Sequence, residues 1–160
     1  MKLIIAGSRD FEDAEFVAAW VLHKFDVNII DEVVSGAARG VDTCGEQFAR
    51  EYNIPIKRFP AQWDVHGRAA GPIRNAQMTK YGDVLIAFSS GGRGTANMIS
   101  TMRKAGKPVH VIDLNTAEKP VARKTNPNQT MVDRFTRDIE ARMMKASGIK
   151  IVSDGSRDSH

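Results

Sequence analysis

Apolar residues in this chain gather in short blocks, and between the blocks they recur at helical spacing. Leu3-Ile4-Ile5-Ala6 ends at Gly7 and reads as a first strand. Val33-Val34, running into Ser35-Gly36, is the second, Pro55–Phe59 the third, Val84–Phe88 the fourth and Pro108–Ile112 the fifth. The fourth block is the most continuous, which predicts a strand with neighbours on both sides. Residues Phe11 to Phe25 place Phe11, Phe16, Val17, Trp20 and Val21 on one helical face, with Trp20 directed into the core and Asp10 or Asp13 as the cap. Further helices are predicted over Gly40–Tyr52, Ile73–Tyr81 and Thr95–Ala105. Pro60 to Pro72 reads as a long loop, and Gly91 to Gly94 as a glycine loop.

Short apolar strands alternating with helices predict an α/β fold: a Rossmann-like parallel sheet of about five strands, with helices on both faces. Ligands of such sheets sit beyond the carboxyl ends of the strands, where the winding reverses. Those ends carry Gly7-Ser8-Arg9, Ser35-Gly36, the Trp63 loop and Ser89 to Gly94. The glycines and polar residues thus fall where the fold provides a site. The pattern changes after Asp113. Residues 1–113 form the predicted domain, and 114–160 a polar linker, a helix and a polar tail. In that helix Met131, Phe135, Ile139 and Met143 make an apolar stripe. The stripe covers either its own domain or a second copy, and a homo-oligomer is expected.

Composition narrows the function classes. At 42% apolar and 26% charged residues, the chain can bury a core. Its one cysteine, Cys44, allows no internal disulfide, which points to a reducing, cytoplasmic setting. No apolar run approaches the roughly 20 residues that cross a bilayer, so no membrane partner is expected. A net charge of +4 and a pI near 9.4 favour anionic ligands but fall short of a nucleic-acid footprint. Two tryptophans and two tyrosines make a poor stacking platform for a long strand. His66 is a weak signal and no spacing resembles a metal site, so neither a metal nor a resident cofactor is expected.

Gly91-Gly92-Arg93-Gly94-Thr95 joins a buried strand to a helix, where bare amide groups and the helix dipole suit a phosphate. Thr95 either caps the helix or donates to a phosphate oxygen. Ser35-Gly36-Ala37-Ala38-Arg39-Gly40-Val41-Asp42 repeats the arrangement after the second strand, and Asp42 there either caps the helix or bonds a ribose hydroxyl. Arg9 pairs with a phosphate or with Asp10 or Glu12. Trp63 stacks on a base or packs on the domain, with Arg68, Arg74 and Asn75 close behind.

Together these segments, with Ile5-Ala6-Gly7-Ser8-Arg9, Phe11 and Ala70-Gly71-Pro72-Ile73-Arg74-Asn75 with Met78, resemble the YspA-like branch of the SLOG superfamily. The likeness covers about residues 1–113. That superfamily includes the lonely-guy phosphoribohydrolases, the Smf-type DNA-processing proteins and nucleotide-sensing domains of prokaryotic defence systems. The resemblance implies a ligand related to nucleotides or ADP-ribose, and gives Arg74 as the counterpart of a catalytic arginine. The chain departs from the lonely-guy pattern three residues after Thr95, where Met98 replaces a catalytic glutamate. If the chain is an enzyme, its carboxylate is then Asp42 or Glu46, which share a helix face at i and i+4. Three readings follow. The first is a nucleotide-binding module, a sensor or a sequestering protein. The second is an N-glycosidic hydrolase of nucleoside 5′-monophosphates. The third is a single-stranded DNA-binding protein.

Overall fold

The computed structural model describes residues 1–121, together with 138, 139, 142 and 143. The chain divides into two compact units, Met1–Lys124 and Thr125–His160. In the second, Asp138, Ile139, Arg142 and Met143 are helical. Met131 and Phe135, the other half of the predicted stripe, lie outside the described residues.

The first unit alternates strands and helices. Its strands are β1 (Lys2–Gly7), β2 (Glu32–Ser35), β3 (Ile56–Arg58), β4 (Val84–Ser89) and β5 (Val109–Asp113). Its helices are α1 (Ala14–Lys24), α2 (Val41–Glu51), α3 (Trp63–His66), α4 (Ala70–Tyr81) and α5 (Arg93–Lys104), with 3-10 turns at Val27–Ile29 and Gly67–Ala69. All the strands pair in parallel, in the order β3-β2-β1-β4-β5. This is the Rossmann-like α/β fold that the strand blocks predict.

Strand alternation divides the core. Leu3 and Ile5 of β1 point to one face, with Val33, Ile86 and Phe88, and pack against Val17 and Val21 of α1 and Cys44 and Phe48 of α2. Ile4 and Ala6 point to the other, with Val34, Leu85 and Ala87, against Met78 of α4 and Met98 and Met102 of α5. The chain leaves β1 toward β2 and β3, then returns to β4 on β1's other side. The winding therefore reverses between β1 and β4, and this gap is where the sheet leaves room for a ligand.

Three local expectations change. The stretch read as a long loop is helical: α3 holds Trp63–His66, a 3-10 turn follows, and α4 starts at Ala70. Gly67, at φ +54, separates the two turns, and Pro72 sits in the first turn of α4, where its missing N–H has no intrahelical partner to lose. The glycine loop is likewise shorter than it reads, because Arg93 and Gly94 already belong to α5 and Gly92 caps it. Trp20 is only partly buried at the margin of the core, with its indole Nε1 shielded and unpartnered.

Candidate functional site

The carboxyl ends of β1 and β4 come together because both carry chain that tolerates close approach. A Cβ on Gly7 would lie 2.3 Å from the Phe88 carbonyl oxygen, so glycine is required there. Ser8 N–H then donates to Phe88 O at 3.0 Å, and Val41 N–H to Ser8 O at 3.1 Å, bringing the start of α2 onto the end of β1. Gly40 makes that contact possible. Its φ is +76, and a side chain would meet the backbone of Ser8 and Arg9.

These approaches frame a cavity of about 490 Å³, a size suited to a small ligand. Ala6, Met78 and Met98 contribute apolar wall, and Met98 is fully buried. Around them stand Gly7, Ser8, Arg9, Asp42, Trp63, Arg68, Arg74, Asn75, Gly92, Arg93, Gly94 and Thr95. The structure thus collects residues from every segment singled out in the sequence.

Arg74 and Asp42 are the buried charges of the site, 8% and 5% exposed. The two side chains converge on Gly36: a Cβ there would lie 2.6 Å from Arg74 Nη1 and 2.7 Å from Asp42 Oδ2. Arg74 donates from Nη1 to the Gly36 carbonyl and from Nε to Asn75 Oδ1 at 3.0 Å. Asn75 in turn donates from Nδ2 to Asn97 Oδ1 at 2.9 Å and to Gly94 O at 3.3 Å, tying α4 to the first turn of α5. Asp42 accepts from Ala38 N–H at 3.2 Å. Burial raises its carboxyl to about 6; the Ala38 N–H and Arg74 oppose the shift, Glu46 adds to it, and Arg9 opposes it weakly. Burial lowers the Arg74 pKa, and the Asp42 charge opposes that.

At the α5 end the side-chain-free positions differ in kind from Gly7, Gly36 and Gly40. A Cβ at Gly92 or at Gly94 would meet nothing within 4 Å, and Gly92 has φ −69. Gly91, at φ +95, is the turn glycine and does not line the cavity. Trp63 is 47% exposed, with the Arg9 guanidinium carbon 5.2 Å from its ring centroid.

Some predicted residues stand elsewhere. Ser35 is buried and its hydroxyl accepts from Ala37 N–H, bracing the turn. Gly36 and Gly40 shape the site through packing. Glu46 is buried with Oε1 2.6 Å from Arg58 Nε of β3, and it does not line the cavity with Asp42. Arg9 takes neither surface partner proposed for it: Asp10 is 3.5 Å from Arg39. Asn97 and Ser90 line the cavity and were not singled out. Asn97 lies one turn into α5, on the face of Gly94 at i+3, a spacing that could have revealed it.

Comparisons with known proteins bear on the family and the fold. A family model described as YspA, cpYpsA-related SLOG family matches residues 1–66. The Gene 61 protein of Mycobacterium phage D29 is 33% identical over 129 residues, spanning 74% of this chain and 98% of that protein. Among solved structures, the molybdenum cofactor binding protein from the phototrophic bacterium Rippkaea orientalis aligns with a TM-score of 0.51 at 16% identity, over 86% of this chain and 96% of its own. At that identity the likeness concerns the fold. The motifs at Gly7–Arg9 and Ser35–Asp42, the family match that includes both and the phage relative lead to one assignment: the chain belongs to the YspA, cpYpsA-related SLOG family.

Proposed function

We propose that this protein binds a nucleotide or nucleotide derivative in the cavity at the β1/β4 reversal, with a phosphate against Gly92–Thr95 and Arg74 directed at the sugar or a second anionic group. One observation carries the reading. Gly92 and Gly94 face the cavity, and neither packing nor a positive φ demands glycine at either position. Glycine inside a helix is less favourable than alanine by roughly 0.5–1 kcal/mol, which concerns Gly94; Gly92 is the N-cap of α5, where glycine is common. A helix start bare at both positions, beside four arginines in the same lining, is suited to an anion that must approach the backbone. Met98, an inert thioether where lonely-guy enzymes carry a glutamate, favours binding over turnover. The test is incubation with a panel of nucleoside monophosphates, cyclic nucleotides and ADP-ribose derivatives, with mass spectrometry of bound and released species. A nucleotide retained unchanged supports the proposal, and retention of no panel member contradicts it.

One observation favours hydrolysis as a second reading. Asp42 is a buried carboxyl in the cavity wall with its pKa raised to about 6, within the range of a general acid near neutrality. N-glycosidic cleavage builds positive charge on the sugar, which an adjacent carboxylate stabilises. Under this reading Asp42→Asn lowers base release by roughly 10²-fold with little loss of binding. Glu46→Gln leaves the rate unchanged, because Glu46 is committed to Arg58. The absence of free base from every panel member excludes this reading.

A further inference from the structure

A second cavity of about 430 Å³ adjoins the first. Its lining joins the turn Gly36–Arg39 after β2 to Pro60 and Ala61 after β3, and it shares Arg9, Ala38, Trp63 and Arg74 with the first cavity. The shared side chains form a common wall, so the two spaces run along one sheet edge from the tip of β4 to the tips of β2 and β3. With strands about 4.8 Å apart, that path covers two to three spacings, about 10–14 Å, which is longer than one sugar-phosphate unit needs.

The two spaces differ in charge. The first holds Asp10 and Asp42 among its arginines. The described residues lining the second include Arg9, Arg39 and Arg74 and no carboxylate. Two of its backbone donors are already engaged: Ala37 N–H donates to Ser35 Oγ and Ala38 N–H to Asp42 Oδ2. The three guanidinium groups are its charged donors for an anion. Arg74 is set up for this, since a guanidinium has five N–H donors and Gly36 O and Asn75 Oδ1 take only two of them. Arg39 is the exposed member, with a 3.5 Å contact to Asp10.

We infer that the second cavity is a subsite for a second nucleotide unit, and that the ligand is a dinucleotide with a terminal 5′-phosphate and a linking phosphate. Its terminal phosphate rests on Gly92–Thr95. The linking phosphate lies at the shared Arg9 and Arg74, and the second unit occupies the space beside Arg39, with the exposed Trp63 ring available to stack a base. This rests on the reading of the first cavity as a nucleotide site, and goes beyond it in naming the size and polarity of the ligand.

Calorimetry with adenosine 5′-monophosphate and with the 5′-phosphorylated dinucleotide pApA tests the inference. The dinucleotide should bind at least about tenfold more tightly, the gain of one additional charge-assisted contact set. Arg39→Gln should remove about that factor for pApA and leave the mononucleotide unchanged. Arg103→Gln, at the opposite end of α5, should change neither, which separates a site from general charge. Equal affinity for the two ligands, or an Arg39→Gln effect of the same size on both, overturns the subsite while leaving the mononucleotide site standing. A 5′-phosphorylated hexanucleotide binding a further tenfold more tightly than pApA overturns it in favour of a strand-binding surface. A gain shown by NAD⁺, which has no terminal phosphate, and not by pApA overturns the proposed ligand. If the wild type binds neither ligand, the subsite for this dinucleotide is overturned, and the nucleotide reading is decided separately by the wider panel.

Discussion

At the scale of single residues, the site is organised around Gly36. Its missing side chain lets the Arg74 guanidinium and the Asp42 carboxyl enter the same buried space. The sequence shows Asp42 only as a carboxylate near a helix start, equally suited to capping. Folding buries it, and burial changes its chemistry. Because its folded pKa, about 6, lies above the ordinary aspartate value of 3.8, the folded state binds the extra proton between those values. The resulting stability is fully present at low pH and is lost as pH rises through 6. Relative to Asp42→Asn, the wild type should therefore gain on the order of 1 kcal/mol on going from pH 7.5 to pH 5. Denaturant melts of both proteins at the two pH values check this, and parallel stabilities would show that Asp42 is not desolvated. Glu46 teaches the converse. Its spacing from Asp42 predicts a shared face, and both are indeed buried, yet the face extends beyond the cavity to β3 and Arg58. Periodicity identifies the side of a helix but not what stands opposite each turn of it.

At the scale of elements, strands were legible because a parallel sheet buried on both faces writes itself as continuous apolar blocks. Helix starts were less legible, since glycine and proline signal breaks in sequence and are tolerated in a first turn. That is why α4 and α5 begin earlier than their sequences suggest and why α3 reads as loop. The start of α1 is the plainest. Asp13 accepts from Phe16 N–H at 3.1 Å as its N-cap, and Asp10 takes no part. Asp13→Ala should lower global stability by about 1 kcal/mol in urea denaturation, whereas Asp10→Ala should change it little; equal effects would contradict the cap. The Trp63 segment belongs at this scale too. Trp63 opens α3, its ring lies under Arg9, and it borders both cavities. Ligand addition should shift tryptophan fluorescence, and Trp63→Phe should abolish most of the change. A signal that survives intact would assign it to Trp20 and remove α3 from the site.

At the scale of the whole molecule, the order β3-β2-β1-β4-β5 places the reversal between β1 and β4, and the cavity lies at that reversal. Sequence alone locates the strand ends that carry the motifs, because each glycine segment follows an apolar block. It cannot place them beside one another, since strand order is a property of long-range pairing. This is why Gly7, Asp42, Arg74 and Gly94, distant in the chain, could be assigned to one edge of the sheet, while which of them share a cavity could not be read. Among the described residues no helix is long and apolar enough to cross a membrane. The central claim is that the bare start of α5 receives a phosphate. Replacing Gly94 by Ala and by Val separates that claim from any structural need for glycine, because a side chain there meets nothing within 4 Å. Calorimetric titration of adenosine 5′-monophosphate into the wild type and both variants, each with its melting temperature recorded, is the most direct measurement. Both variants should be at least as stable as the wild type, Gly94→Ala with weakened binding and Gly94→Val with none detectable. Unchanged affinity in folded Gly94→Val protein would contradict it.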